Sequence, residues 1–229
     1  MELRQVNKST VIWGGMTVII KSNVDSGQAR MTILYFLLME EKLKKLITRF
    51  GEHRIKLNEQ LKFYTISQFR GKAEAFFIAS TTQGLIDIIA AAEDLEIPYQ
   101  IIGAGTKVNF PDQVVSGLVI KNRTSGIKIG GVKGKVGING IGVEEALVDV
   151  DSGVSLGRIN QFLETQKLPP LNFVSSLDAT LGGSLLIESP IHKFVQAVRI
   201  LERSEVREIE INDLKRDQII LSTVFKIQA

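Results

Sequence analysis

Two glycine-containing loops are the segments of this chain best suited to hold a ligand. The first reads IGAGTK over residues 102–107 and follows a short apolar run, and the second reads ATLGGS over residues 179–184. Glycine lets a backbone approach a ligand closely and adopt positive φ, and consecutive N–H groups in such a turn form a nest for phosphate. One such loop is weak support, but two of them with matching segments between indicate a nucleotide cofactor lying across the chain.

Composition excludes several other kinds of chemistry. The 229 residues contain no cysteine and only two histidines, His53 and His192, which excludes thiolate catalysis, disulfides and a zinc site built from cysteine or many histidines. The net charge of +3 is too small and too evenly spread to predict a nucleic-acid partner. The apolar run over residues 31–39 is too short to cross a bilayer, which takes about 20 residues. We therefore expect a cytoplasmic protein with no membrane partner.

The apolar spacing predicts the elements that position the first loop. A strand over 73–79, a helix whose capping box begins at Ser80, and a strand over 99–102 form a strand–helix–strand unit. Folds that mix helices with parallel strands bind ligands at the end of such a unit, and the first glycine loop lies there.

The remainder of the chain is predicted to be mostly strands. A helix capped by Ser155 precedes the second loop, and the glycines of residues 126–142 are interpreted as β-turn residues because no helix comes after them. The predicted strands cover residues 117–121, 127–129, 136–138, 146–150, 194–201, 206–211 and 219–227.

Residues 1–38 fit poorly with the rest of the chain. Met39 and the two acidic residues after it are typical of a protein start, and residues 40–50 predict an amphipathic helix. Either the first 38 residues are an over-extended gene start or they form an extra strand or hairpin, and the sequence leaves both interpretations open.

Five features in order resemble one family. Residues 65–73 (TISQFRGKA) resemble "T-x-x-x-G-G-x-A", the strand–helix–strand unit comes next, and residues 103–120 resemble "G-x-G-S-N-L-L-x-x-D-x-G-x-V-I". Residues 150–154 (VDSGV) resemble "x-A-G-V", and residues 171–184 resemble "L-E-x-L-x-G-I-P-G-T-V-G-G-A". Residues 57–229 thus resemble the flavin-binding part of the UDP-N-acetylenolpyruvoylglucosamine reductases, also called UDP-N-acetylmuramate dehydrogenases.

The resemblance implies an α+β, two-lobed FAD-binding fold of the vanillyl-alcohol-oxidase/PCMH type. It implies a doubtful N-terminal extension over 1–38, an N-terminal lobe over 39–121 and a C-terminal lobe over 122–229. The implied reaction is reduction of UDP-N-acetylglucosamine enolpyruvate in peptidoglycan-precursor synthesis, with FAD as cofactor, NADPH as electron donor and a sugar nucleotide as substrate. Arg216 is the one catalytic candidate, standing where the family has a tyrosine–arginine segment. The implied cofactor-binding residues are Gly103, Ala104, Gly105, Thr106, Lys107, Ser176, Thr180, Gly182 and Gly183.

Departures from the pattern leave three functions open. Residues 176–179 read SLDA in place of "G-I-P-G", and Glu188 stands near the expected flavin edge without the family's sequence around it. The family's substrate domain, which supplies the proton-donating serine, has no counterpart before Ala229. The chain is therefore expected to be a flavoenzyme whose substrate groups come from a partner chain or a shortened site. The alternatives are a non-catalytic FAD-binding or interaction module and a remnant of the fold that binds no flavin.

Overall fold

A computed structural model describes most of the chain, in two compact units. The units are Met1–Lys45 and Leu46–Ala229. The predicted site residue Lys107 and the candidate Glu188 lie outside the described residues. The described residues are 9–13, 16–20, 26–106, 114–137, 140–173, 175–187 and 190–228.

The first unit holds a hairpin and most of a long helix. Strands β1 (Ser9–Trp13) and β2 (Met16–Ile20) pair antiparallel, as the hairpin interpretation of residues 1–38 requires. Helix α1 runs over Ser26–Phe50, so the helix predicted over 40–50 begins 14 residues earlier than expected. Neither glycine nor proline occurs between Gln28 and Phe50, and the apolar run therefore continues as helix. The over-extended gene start stays a hypothesis.

The second unit begins with a four-stranded sheet in the order β3-β4-β6-β5. Strand β4 pairs antiparallel with β3, whereas β6 pairs parallel with both β4 and β5. Helix α2 joins β4 to β5 and confirms the predicted strand–helix–strand unit, although its cap is Thr81, whose hydroxyl accepts a bond from the Gly84 N–H at 3.0 Å. The elements are β3 (Ile55–Gln60), β4 (Lys72–Ala79), α2 (Thr82–Asp94), β5 (Tyr99–Ile102) and β6 (Val114–Asn122).

A five-stranded antiparallel sheet completes the second unit, in the order β10-β9-β11-β8-β7. One apolar core lies between this sheet and helix α3, whose predicted cap at Ser155 is confirmed by a bond from the Arg158 N–H. The elements are β7 (Ile127–Gly137), β8 (Gly140–Asp151), α3 (Leu156–Thr165), the short α4 (Leu181–Leu185), β9 (Val195–Glu202), β10 (Glu205–Ile209) and β11 (Ile219–Gln228).

The interpretation of the glycines in residues 126–142 as turn residues is wrong for most of them. Strands β7 and β8 form one long hairpin that contains Gly130, Gly131, Gly134, Gly140 and Gly142. The register of this hairpin shifts at two places beside these glycines, and glycine inside a strand commonly marks such a bulge. The two strands predicted at 127–129 and 136–138 belong to the single strand β7, which ends at residue 137.

Within the described ranges, no helix is both long enough and apolar enough to span a bilayer.

Candidate functional site

One cavity of about 440 Å³ is lined by residues from both sheets of the second unit. The face of β5 that carries Tyr99 and Ile101 forms one wall, and Ile219 and Ile220 at the start of β11 contribute to another. Five of the predicted site residues line this cavity, although they come from three separate parts of the chain. They are Gly103, Thr180, Gly182, Gly183 and Arg216.

Four other predicted residues do not belong to the described lining of the cavity. Ala104, Gly105, Thr106 and Ser176 are in this group. Gly105 has a φ of +71°, and a Cβ there would lie 2.6 Å from the Thr65 methyl group, so only glycine fits. Packing against residues 65–67 therefore helps to set the conformation of the first loop.

The two glycine loops meet at Gly103. A Cβ added to Gly103 would overlap the Thr180 hydroxyl oxygen and lie 3.1 Å from the Thr180 Cβ. Both residues line the cavity. The absence of a side chain at position 103 is what lets the second loop close against the first.

The carbonyl groups of the first loop point toward protein donors. The Gly103 oxygen accepts a bond from the Lys121 ammonium, the Ala104 oxygen from the Ile66 N–H at 3.0 Å, and the Gly105 oxygen from the Ser67 N–H at 3.4 Å. Among the described residues, the N–H groups of Ala104 and Gly105 have no acceptor. The loop therefore keeps N–H donors of the kind that bind phosphate oxygens.

Two adjacent N–H groups of the second loop are already bonded within the protein. The Leu181 N–H donates to the Val154 oxygen at 2.8 Å and the Gly182 N–H to the Ser152 oxygen at 2.9 Å. A Cβ at position 182 would lie 3.1 Å from the Ser152 Cβ. Gly182 thus secures the close packing of the loop, and its N–H is not available to form a phosphate nest.

A buried polar cluster, here the Asn122 network, joins the ends of β6 and β8 beneath the loops. Asn122 Nδ2 donates to Ser152 Oγ at 2.8 Å, while Asn122 Oδ1 accepts from the Thr124 N–H at 3.0 Å and the Thr124 hydroxyl at 2.9 Å. The Gly153 N–H donates to Thr124 Oγ1 at 3.1 Å. Asn122, Thr124 and Ser152 are buried, and Asn122 and Ser152 line the cavity. The network ties the two sheets together where the cavity lies.

Comparison with known proteins decides the family. The model of the FAD binding domain family matches residues 73–189, just over half of the chain, and this range includes both glycine loops and the Asn122 network. The chain belongs to the FAD binding domain family.

UDP-N-acetylenolpyruvoylglucosamine reductase 1 of Bacillus cereus is 25% identical over 193 residues, which are 77% of this chain and 60% of the relative. The corresponding reductase of Clostridium tetani is 22% identical over 201 residues, which are 81% and 61%. The chain thus spans about 60% of the length of these relatives.

Solved structures show the same fold. The UDP-N-acetylenolpyruvylglucosamine reductase of Thermus caldophilus matches 76% of this chain and 61% of its own, with a TM-score of 0.53 and 17% identity. p-Cresol methylhydroxylase matches 90% of this chain and 44% of its own, with a TM-score of 0.57 and 15% identity. Both the predicted resemblance and the predicted FAD-binding fold class are confirmed.

A buried lysine supports the first loop of this FAD binding domain, and sequence reasoning did not single it out. Lys121 is 7% exposed, and its ammonium donates to the Gly103 oxygen and, at 2.8 Å, to the Tyr64 oxygen. Burial, with a smaller effect of the nearby Arg123 charge, lowers the Lys121 pKa to about 8. The signal in the sequence is a lysine near the end of the otherwise apolar run GLVIK.

The lowered pKa of Lys121 predicts a stability that increases in mild alkali. Because the folded pKa of about 8 lies below the unfolded value of about 10.5, the unfolded chain binds more protons between these pH values. The free energy of unfolding should therefore rise by about 2 kcal/mol between pH 7.5 and 10. The neutral amine keeps two N–H donors, enough for both carbonyl groups. Urea denaturation at several pH values in this range measures the rise, and the Lys121→Met variant should lack it. If the free energy of unfolding changed equally with pH in the wild-type protein and the variant, the lowered pKa of Lys121 would be contradicted.

Three further polar side chains line the cavity. The Tyr99 hydroxyl donates to Glu93 at 2.9 Å, and burial together with this bond raises the Tyr99 pKa to about 12. Arg216 and Asp217 line the cavity as exposed side chains in the turn before β11. By contrast, His192 does not belong to the described cavity lining, and one of its ring nitrogens lies 3.0 Å from the Leu185 oxygen.

Proposed function

We propose that this chain binds FAD in the cavity and acts as an FAD-dependent oxidoreductase of the UDP-N-acetylmuramate dehydrogenase type. The observation that carries the proposal is the contact of the two glycine loops at Gly103 and Thr180, on the wall of one cavity. The match of residues 73–189 to the FAD binding domain family supports it.

The residues present fit an FAD diphosphate. The N–H groups of Ala104 and Gly105, which have no acceptor among the described residues, and the Thr106 and Thr180 hydroxyls would supply donors for phosphate oxygens. Gly183 lines the cavity without close packing: a Cβ there would lie 3.5 Å from the Thr180 hydroxyl, an ordinary van der Waals distance. Roles for Ser176 and Lys107 stay predictions. The bound flavin would supply hydride-transfer chemistry.

Arg216 is the proposed substrate-facing group. Its guanidinium is always charged, and it lines the cavity without a hydrogen-bond or ion-pair partner among the described residues. A fixed positive charge there favours an anionic sugar nucleotide or the negative charge that develops when its enolpyruvyl group is reduced. NADPH as the electron donor, a cytoplasmic location and a partner chain that completes the substrate site stay predictions.

A non-catalytic FAD-binding module is the second candidate. Reduction of an enol ether needs a positioned acid to supply a proton. In the described part of the cavity wall, the charged side chains are Arg216 and Asp217, both exposed, and the Tyr99 hydroxyl is already bonded to Glu93. This lining favours a chain that binds FAD, with the proton for the reduced enol ether supplied by a group outside the described cavity wall.

FAD titration of the purified protein tests the proposal. We expect a bound-flavin absorption spectrum and saturable quenching of flavin fluorescence at one FAD per chain. Protein that is colourless and takes up no added FAD would overturn the proposal. NADPH oxidation that depends on UDP-N-acetylglucosamine enolpyruvate then separates the enzyme from the module, and Arg216→Ala should abolish that dependence while FAD binding persists.

A further inference from the structure

The Asn122 network has a fixed direction. A backbone N–H can only donate, so the bond from the Thr124 N–H requires the Asn122 oxygen on that side. The Asn122 amide nitrogen must then face Ser152, and it donates to Ser152 Oγ at 2.8 Å. Ser152 is therefore an acceptor within the network, and its own hydrogen is left to be donated elsewhere.

The residue that carries this remaining hydrogen lines the cavity. Ser152 is 2% exposed and lines the cavity beside Gly182. Among the described residues, no group accepts a bond from its hydroxyl. A buried donor without an acceptor is costly, by about 1–3 kcal/mol, and a ligand oxygen in the cavity would remove that cost.

Position 152 also distinguishes this chain from the pattern that it resembles. The pattern "x-A-G-V" has alanine where this chain has Ser152. Alanine has no hydroxyl, so the pattern supplies no donor at this position. Because alanine is compatible with the turn, a variant lacking the hydroxyl is expected to fold.

We propose that the Ser152 hydroxyl donates a hydrogen bond to an oxygen of the bound FAD and is a cofactor-binding residue. The proposal rests on FAD being the ligand of the cavity. The acceptor is either a diphosphate oxygen or an oxygen of the riboflavin half, and both offer the same chemistry to a hydroxyl donor. The Asn122 network orients the hydroxyl by occupying its acceptor side.

Ser152→Ala tests the proposal by titration with FAD, ADP and riboflavin. We expect about 5- to 20-fold weaker FAD binding, the loss that one hydrogen bond to a polar or charged acceptor produces. The same loss with ADP but not riboflavin assigns the acceptor to the diphosphate, and the reverse result assigns it to the riboflavin half. Ser222→Ala is the matched control, since Ser222 is also buried and lines a different cavity; its FAD affinity should be unchanged.

Three outcomes would overturn the proposal. Wild-type FAD affinity in Ser152→Ala, even with lower stability in urea, would show that Ser152 only supports the fold. A loss shared equally by all three ligands would indicate a distorted cavity and not one missing donor. Failure of the wild-type protein to bind FAD would overturn the proposed function itself and this inference with it, a result distinct from the other two.

Discussion

Gly103→Ala should weaken FAD binding by about 10- to 100-fold, the equivalent of about 1–3 kcal/mol of overpacking at a close contact. The added Cβ would overlap the Thr180 hydroxyl and lie 3.1 and 3.2 Å from the Thr180 Cβ and methyl group. Relief of that overlap requires the two glycine loops to separate, and their contact forms the wall of the cavity. Flavin fluorescence titration measures the change.

A matched glycine and a second substitution make the test specific. Gly130→Ala adds the same methyl group 3.9 Å from its nearest neighbour, so FAD affinity should stay at the wild-type value. Thr180→Ala removes the overlapping atoms, and we expect the double variant Gly103→Ala/Thr180→Ala to bind FAD better than the sum of the single effects predicts. Strict additivity of the two substitutions would mean that they do not act through this contact.

Asn122→Leu should lower the free energy of unfolding by about 3–5 kcal/mol, because it leaves several buried polar groups without partners. The Thr124 N–H and hydroxyl would lose their acceptor, and the Ser152 hydroxyl would lose its donor. Leucine has a similar size, so the loss reflects hydrogen bonding more than volume. Since the network ties the two sheets beneath the cavity, FAD affinity should fall as well.

Urea denaturation measures this loss, with Asn172→Leu as the control. Asn172 is exposed, and its substitution should change stability by no more than about 0.5 kcal/mol. A loss below about 1 kcal/mol for Asn122→Leu would indicate that the network contributes little net stability.

The local sequence was sufficient to predict the elements around the first loop. Apolar residues at strand and helix spacing predicted β4, α2 and β5, and Ser155 before an apolar stripe predicted the start of α3. These signals are local because a cap or a helical stripe is formed by residues within a few positions of one another. The glycines of the β7–β8 hairpin were misassigned because turns and bulges use the same residue.

The sequence by itself therefore determined the local elements, both glycine loops and, through an ordered set of motifs, the FAD-binding fold. Only the tertiary structure decided that Gly103 meets Thr180, that Lys121 supports the first loop and that Asn122 bonds to Ser152 in the cavity lining. Asn122 and Ser152 are 30 positions apart in the chain, and Gly103 and Thr180 are farther apart still. Pairs at such separations are brought together by sheet packing, and no local spacing or propensity encodes them.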